Sequence, residues 1–286
     1  MFWGERIIMQ TTTSWRSRFA VAGVTAAVAI GLLAAPSPAM AAQRTAITVA
    51  KIAPASGKTI VAGENIVISG KTSANLKGWK LKVQAKVGTK WQTLSASPTV
   101  TTKLTYAAKV KAVGVGATSY RVLFAGSKSR AASSATRAAT VWKWFPLAGQ
   151  KVVDYKASLG WAEPRSRPTT MAGVYYPEAI LGKSRGNRVV WSEFNVSFQC
   201  QSLSALVGIS DDSPSDSAGM STVSVDGVTP AGATAQLKLG KTQPVKISVA
   251  DSMRVRLTLV SPSDGQVEGV WANAKILCKK NVNPVN

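Results

Sequence analysis

Trp79-Lys80-Leu81-Lys82-Val83-Gln84-Ala85-Lys86-Val87 alternates apolar side chains with basic or amide ones. A helix would repeat its apolar positions every three or four residues. This stretch repeats every two, which is a strand with an apolar face turned inward and a basic face turned to solvent. Gly88-Thr89 then turns the chain toward Trp91. Working outward, Tyr106, Ala108, Val110 and Ala112 alternate with Lys109 and Lys111, and Tyr120, Val122 and Phe124 give a further strand. Ile66–Ser69 and Ala138–Trp142 add more. Residues 45–144 thus read as roughly seven short strands with no helical period, the pattern of a two-sheet β-sandwich.

Phe145-Pro146-Leu147-Ala148-Gly149 reads as a short hinge, and residues 146–286 resume the strand pattern. Val255, Leu257 and Leu259 alternate with Arg254, Arg256 and Thr258; Val245, Ile247 and Val249 form another strand; Leu237 and Leu239 flank Lys238. Val189–Val196, Ala205–Ile209, Ser221–Val225 and Val270–Leu277 bring the number to about eight strands, as in a jelly-roll sandwich. The expected fold class is all-β: two β-sandwiches in series, an immunoglobulin-like one and a jelly roll.

Residues 1–41 read as a cleaved signal peptide. Arg16 and Arg18 precede the apolar run Phe19–Ala35, and Ala39-Met40-Ala41 is a small-x-small cleavage site. The run is shorter than the roughly 20 residues of a spanning helix and ends at Pro36 and Pro38. The residues ahead of Met9 add nothing to the leader, which leaves Met9 as an alternative start. No second hydrophobic run, lipobox cysteine or sorting motif follows. The expectation is a product released from the cell or held non-covalently on its envelope, with no transmembrane segment after cleavage. In an oxidising compartment Cys200 and Cys278 are expected to pair, and closing that loop is worth roughly 4 kcal/mol in a chain-entropy model.

The formal charge is +22 with no histidine. Residues 42–145 hold 17 Lys and Arg against one acid, Glu64, while residues 146–286 hold 15 against 11. The first sandwich is therefore the candidate for contact with a polyanion such as an acidic wall polymer, although strand lysines also serve as a solvated face that blocks edge pairing. Without histidine, Ser-His-Asp and Cys-His catalysis and His-based zinc sites are excluded. No Gly-x-Ser-x-Gly elbow, P-loop, Ser-x-x-Lys set or dinucleotide fingerprint appears. Neither catalysis nor a cofactor is expected, and specific nucleic-acid recognition is not expected either.

Ile68-Ser69-Gly70-Lys71, Trp79–Val87, Trp91-Gln92-Thr93-Leu94 and Tyr120-Arg121-Val122 resemble immunoglobulin-like or fibronectin-like stalk modules of secreted actinobacterial proteins, without the antibody cysteine pair. In the second half, Leu206-Val207-Gly208-Ile209-Ser210-Asp211-Asp212, then Ser221-Thr222-Val223-Ser224-Val225-Asp226-Gly227, then Val270-Trp271-Ala272-Asn273-Ala274 follow one another. This succession resembles the NPCBM family of carbohydrate-binding modules over about Val152–Cys278. The family's Gly-Ile-Gly-x-His segment has no counterpart, and Val270 stands where an acid usually precedes the closing tryptophan. The resemblance implies a galactose-binding-like jelly roll that recognises sugar. Sugars offer apolar C–H faces to aromatic rings and hydroxyls to carboxylates and amides. The candidate contacts are Trp161, Tyr175, Tyr176, Asn187, Asp211 and Asp212. Trp191 and Trp271 read as core residues. Asp211, Asp212 and Asp216 read as turn acids or as a hard-cation cluster; the turn reading is preferred and no metal is expected. The resulting expectation is a secreted or envelope-associated, non-catalytic carbohydrate-binding protein with a basic spacer. The alternative is a structural or adhesive surface protein that contacts protein or anionic wall polymer without recognising sugar.

Overall fold

A computed structural model describes residues 41–157, 166–261 and 266–285. The expected signal peptide, apart from Ala41, lies outside these residues. The chain is all-β. The first seven strands are β1 (Ile47–Pro54), β2 (Asn65–Thr72), β3 (Lys82–Val87), β4 (Lys90–Thr93), β5 (Thr105–Lys111), β6 (Gly116–Phe124) and β7 (Ser133–Val141). They form a three-stranded sheet, β1-β2-β5, and a four-stranded sheet, β4-β3-β6-β7, all antiparallel. One core lies between the sheets. Leu81, Val83 and Ala85 enter it from the opening stretch, with Ile66, Ile68, Tyr106, Val110, Tyr120 and Val122. Lys80, Lys82 and Lys86 face out. Val87↔Lys90 closes the β3–β4 hairpin over Gly88-Thr89, and Gly88 has φ 59°, the left-handed conformation that glycine adopts without steric cost.

Two tyrosines tie this sandwich. The Tyr120 hydroxyl donates to the Val113 carbonyl at 3.1 Å and accepts from the Val113 N–H at 3.3 Å, fixing the loop before β6. The Tyr106 hydroxyl donates to the Thr48 carbonyl at 2.8 Å. It reaches β1 across β2, and Gly70 leaves the room: a Cβ there would lie 2.7 Å from the hydroxyl.

The second sandwich contains β9 (Val152–Lys156), β10 (Ser166–Met171), β11 (Val174–Arg185), β12 (Val189–Asn195), β13 (Cys200–Ile209), β14 (Ala218–Val225), β15 (Thr234–Lys238), β16 (Thr242–Ser248), β17 (Arg254–Val260) and β18 (Gln266–Cys278). Its sheets run β10-β11-β18-β13-β16 and β15-β14-β17-β12-β9. The core between them takes Trp271, Phe194, Leu203, Val207, Leu257 and Leu259, among others. Trp271 satisfies its one donor by bonding Nε1–H to Ser221 Oγ of the facing sheet at 2.9 Å. Cys200 and Cys278 are opposite residues of β13 and β18 and form the expected disulfide.

The expected hinge has a different structure. Lys143–Pro146 is a strand, β8, that pairs antiparallel with Lys275–Cys278 of β18. Leu147 is fully buried and its N–H donates to the Ala274 carbonyl. A four-residue strand on an otherwise open edge satisfies backbone groups that a hinge would leave to solvent.

The β10–β11 hairpin is the second departure from simple alternation. Ile180, Val207 and Trp271 point into the main core, while Leu181, Leu206, Val270 and Ala272 point to the opposite face of the same sheet. That outer face is covered: Met171 and Tyr176 of the hairpin pack on it as a separate apolar cluster. Gly208 makes the close approach possible, since a Cβ there would sit 2.6 Å from the Met171 sulfur.

Candidate functional site

β11 and β8 share one edge of β18. β11 pairs with it as far as Ala179↔Ala272, and β8 takes over at Lys275↔Pro146. Between these pairs β18 carries a bulge: Ser204 and Leu206 of β13 oppose Lys275 and Ala272, two residues against three steps. Asn273 occupies the bulge with φ 50°, a left-handed conformation that asparagine tolerates better than most residues.

The two strands leave a cleft of about 370 Å³ between them. Trp144, Pro146 and Ala148 form one wall, Pro177 and Glu178 the other, and Asn273 and Lys275 of β18 lie between. Its size falls in the range of roughly 300–1,000 Å³ common for ligand sites. The Lys275 ammonium lies 5.1 Å from the centroid of the Trp144 ring, a favourable cation–π distance. Among the described residues, the side chains of Glu178 and Asn273 have no hydrogen-bond or ion-pair partner. The arrangement offers apolar ring surface beside a carboxylate, a carboxamide and an ammonium: two groups that accept and two that donate hydrogen bonds.

None of the described residues expected from sequence lines this cleft. Trp161 is outside the described residues. Tyr175 is 64% exposed beside the Ala172-Gly173 turn, whereas Tyr176 is 9% exposed and packs under the hairpin. Asp211 accepts from the N–H groups of Ala172 and Gly173 at 2.8 and 2.9 Å, so its carboxylate holds that turn. Asp212 is exposed in the same loop, and Asn187, with φ 58°, sits in the separate β11–β12 turn. Among the described residues, Asp211 thus lies at the turn beside Tyr175, with Asp212 in the same loop, and Asn187 lies in a separate turn.

Near that loop, Glu268 is largely enclosed. Burial pushes its carboxyl above the ordinary range; Lys183 and Arg167 pull it down, and Asp212 pushes it up. Arg167 approaches Glu268 at 3.9 Å. Trp191 is not a core residue. Its neighbours Val190 and Phe194 point inward, while its ring lies on the outer sheet face 3.9 Å from the Arg256 guanidinium. Glu193 bridges Arg254 at 3.1 Å and Arg256 at 3.4 Å on the same face.

Sequence reasoning missed Trp144, Glu178 and Lys275. Asn273 stood within the closing Trp271-Ala272-Asn273-Ala274 motif, but nothing in the motif told that it faces a cleft.

Among the described residues, no three His, Cys, Asp or Glu side chains come together as a metal-ligand set. No helix of these residues is long and apolar enough to cross a membrane.

No curated protein sequence matches the chain. Among solved structures, the CBM51-2 and INT domains of ZmpB from Clostridium perfringens align at 15% identity and a TM-score of 0.41, covering 59% of this chain and 39% of that one. The chain thus spans about two fifths of that structure's length. The CBM51 of GH95 from Clostridium perfringens, in complex with methyl-galactose, aligns at 12% identity and a TM-score of 0.36, covering 46% of this chain and 99% of that one. The model of the NPCBM/NEW2 domain family matches residues 142–277, from the residue before β8 to the penultimate residue of β18.

Proposed function

We propose that the protein is an exported, non-catalytic carbohydrate-binding protein in which the second sandwich recognises sugar. The observation that carries this reading is the NPCBM/NEW2 match, which lies over the jelly roll and includes β8. The first sandwich, about residues 45–144, acts as a basic spacer of immunoglobulin type that contacts anionic wall polymer. Its three-on-four strand order and the Tyr120–Val113 corner support the immunoglobulin-like reading. Its lysines support the electrostatic role: all are exposed, and the one acid, Glu64, is exposed too.

The test is binding of the full chain to a printed array of mono- and oligosaccharides at physiological salt. A specific sugar signal that survives raised salt is the expected result. Silence on the array, with retention of the protein on wall polymer, would reduce the second sandwich to a structural unit.

A further inference from the structure

We propose that the cleft between β8 and β11 is the sugar site, and that it takes an uncharged sugar unit rather than an acidic one. The proposal rests on the carbohydrate-binding reading of residues 142–277. It differs from the loop-end set expected from sequence, and it makes the site composite: one wall belongs to the strand that leaves the first sandwich.

Polar groups not committed to protein partners, gathered beside apolar ring surface, point to the site. Tyr176 is buried and Asp211 is committed to a backbone turn, so of the expected residues at that loop Tyr175 and Asp212 are the described ones that remain exposed and uncommitted. In the cleft, Glu178 and Asn273 carry side chains without partners, and Lys275 has the Trp144 ring alone. A sugar hydroxyl both donates and accepts. A carboxylate accepts from two hydroxyls, a carboxamide does both, and an ammonium donates. Glu178, Asn273 and Lys275 together match a polyol edge. Pro146, Pro177 and the indole of Trp144 supply the apolar surface that C–H groups need.

Charge sets the class of sugar. Glu178 and Lys275 cancel within the cleft, so a carboxylated or sulfated sugar gains one attraction and meets one repulsion. A neutral sugar uses both groups at no such cost. This selectivity runs against the +22 charge of the whole chain, which would favour acidic glycans if net charge governed recognition.

The dependence on β8 follows from the geometry. Trp144 and Pro146 are held in place because Trp144 pairs with Leu277 and Pro146 with Lys275. A protein cut after this strand would lose a wall of the site while keeping all of β9–β18.

The experiment uses the full chain on a printed array of neutral and acidic mono- and oligosaccharides, followed by calorimetric titration of the strongest array sugar. Glu178→Ala, Asn273→Gly and Trp144→Ala are compared with wild type, with circular dichroism as the fold control. Glu178 is exposed and unpartnered, and glycine suits the left-handed backbone of Asn273, so these two variants test the site without removing packed atoms. The expected result is a neutral sugar as the strongest ligand, with each variant weakening it by about tenfold or more, the loss of at least one good hydrogen bond or stacking contact. Wild-type affinity in Glu178→Ala and Asn273→Gly would overturn the cleft as the site while leaving sugar binding intact. A preference for acidic sugars would overturn the selectivity. No sugar bound by wild type would overturn the carbohydrate reading itself, and the site with it.

Discussion

Tyr106 in the first sandwich and Trp271 in the second are both buried aromatic residues with one polar atom to satisfy, and each sandwich does so differently. Tyr106 spans its own sheet, crossing β2 at Gly70 to reach a backbone carbonyl of β1. Trp271 spans the core, bonding to a serine of the facing sheet. The contrast extends outward. All three ion pairs found among the described residues belong to the second sandwich, as does the disulfide. The first has neither, and its excess of exposed lysine is left to solvent or to an anionic partner. One region is held by backbone-directed hydroxyls under a repulsive surface. The other is cross-linked and charge-paired, and holds Glu178 and Asn273, without protein partners among the described residues, in a cleft. On the proposed function, the difference separates two kinds of recognition: diffuse and charge-driven in the first, local and hydrogen-bonded in the second.

The comparison can be broken at several points. Trp271→Ala removes a fully buried indole from the second core and is expected to cost that sandwich about 3–5 kcal/mol, read by chemical denaturation with tryptophan fluorescence. Replacing Cys200 and Cys278 together by serine is expected to cost roughly 2–4 kcal/mol, again confined to the second sandwich. An equal loss in the first would mean that the two unfold as one unit.

The alkaline response sharpens the contrast from the other side. Burial pushes the Tyr106 hydroxyl up to about 12 from an ordinary 10, and burial raises Tyr120 as well, with the Val113 backbone bond opposing. Above about pH 10 the unfolded chain gives up these protons while the folded chain keeps them. The folded state then binds more protons, so its stability falls as pH rises from 10 toward 12, by up to about 1.4 kcal/mol per pH unit for Tyr106, and Tyr120 acts in the same direction. Tyr106→Phe should flatten part of that slope in the first sandwich and cost about 1 kcal/mol at neutral pH through its lost hydrogen bond, as measured by urea titration at pH 7 and 11. The smallest effect expected is for Lys109→Ala with Lys111→Ala on the exposed face of β5: within about 0.5 kcal/mol in stability, but a clear drop in the salt-sensitive retention of the protein on anionic polymer.

Period-two alternation made the first sandwich legible almost strand by strand, because each of its sheets is buried on one face only. The same signal failed where burial is two-sided. Val270, Trp271 and Ala272 are all buried, since the β10–β11 hairpin covers the outer face. Tyr176 is buried for that reason, and its neighbour Tyr175 is the outward one of the pair. β8 was unreadable because four residues ending in proline carry no periodicity, and its partner lies about 130 residues away. The cleft inherits that difficulty. Its residues come from three separate segments, and only the pairing of β8 and β11 along one edge of β18 brings them together. The disulfide could be read because the chain has two cysteines.

The most direct test of this division of labour is a pair of binding titrations on the full chain, one with the strongest array sugar and one with an anionic wall polymer, each at low and high salt. The account predicts a sugar affinity that salt leaves unchanged and a polymer affinity that salt abolishes. A sugar affinity that collapses with salt alongside the polymer would contradict it, because charge alone would then account for both.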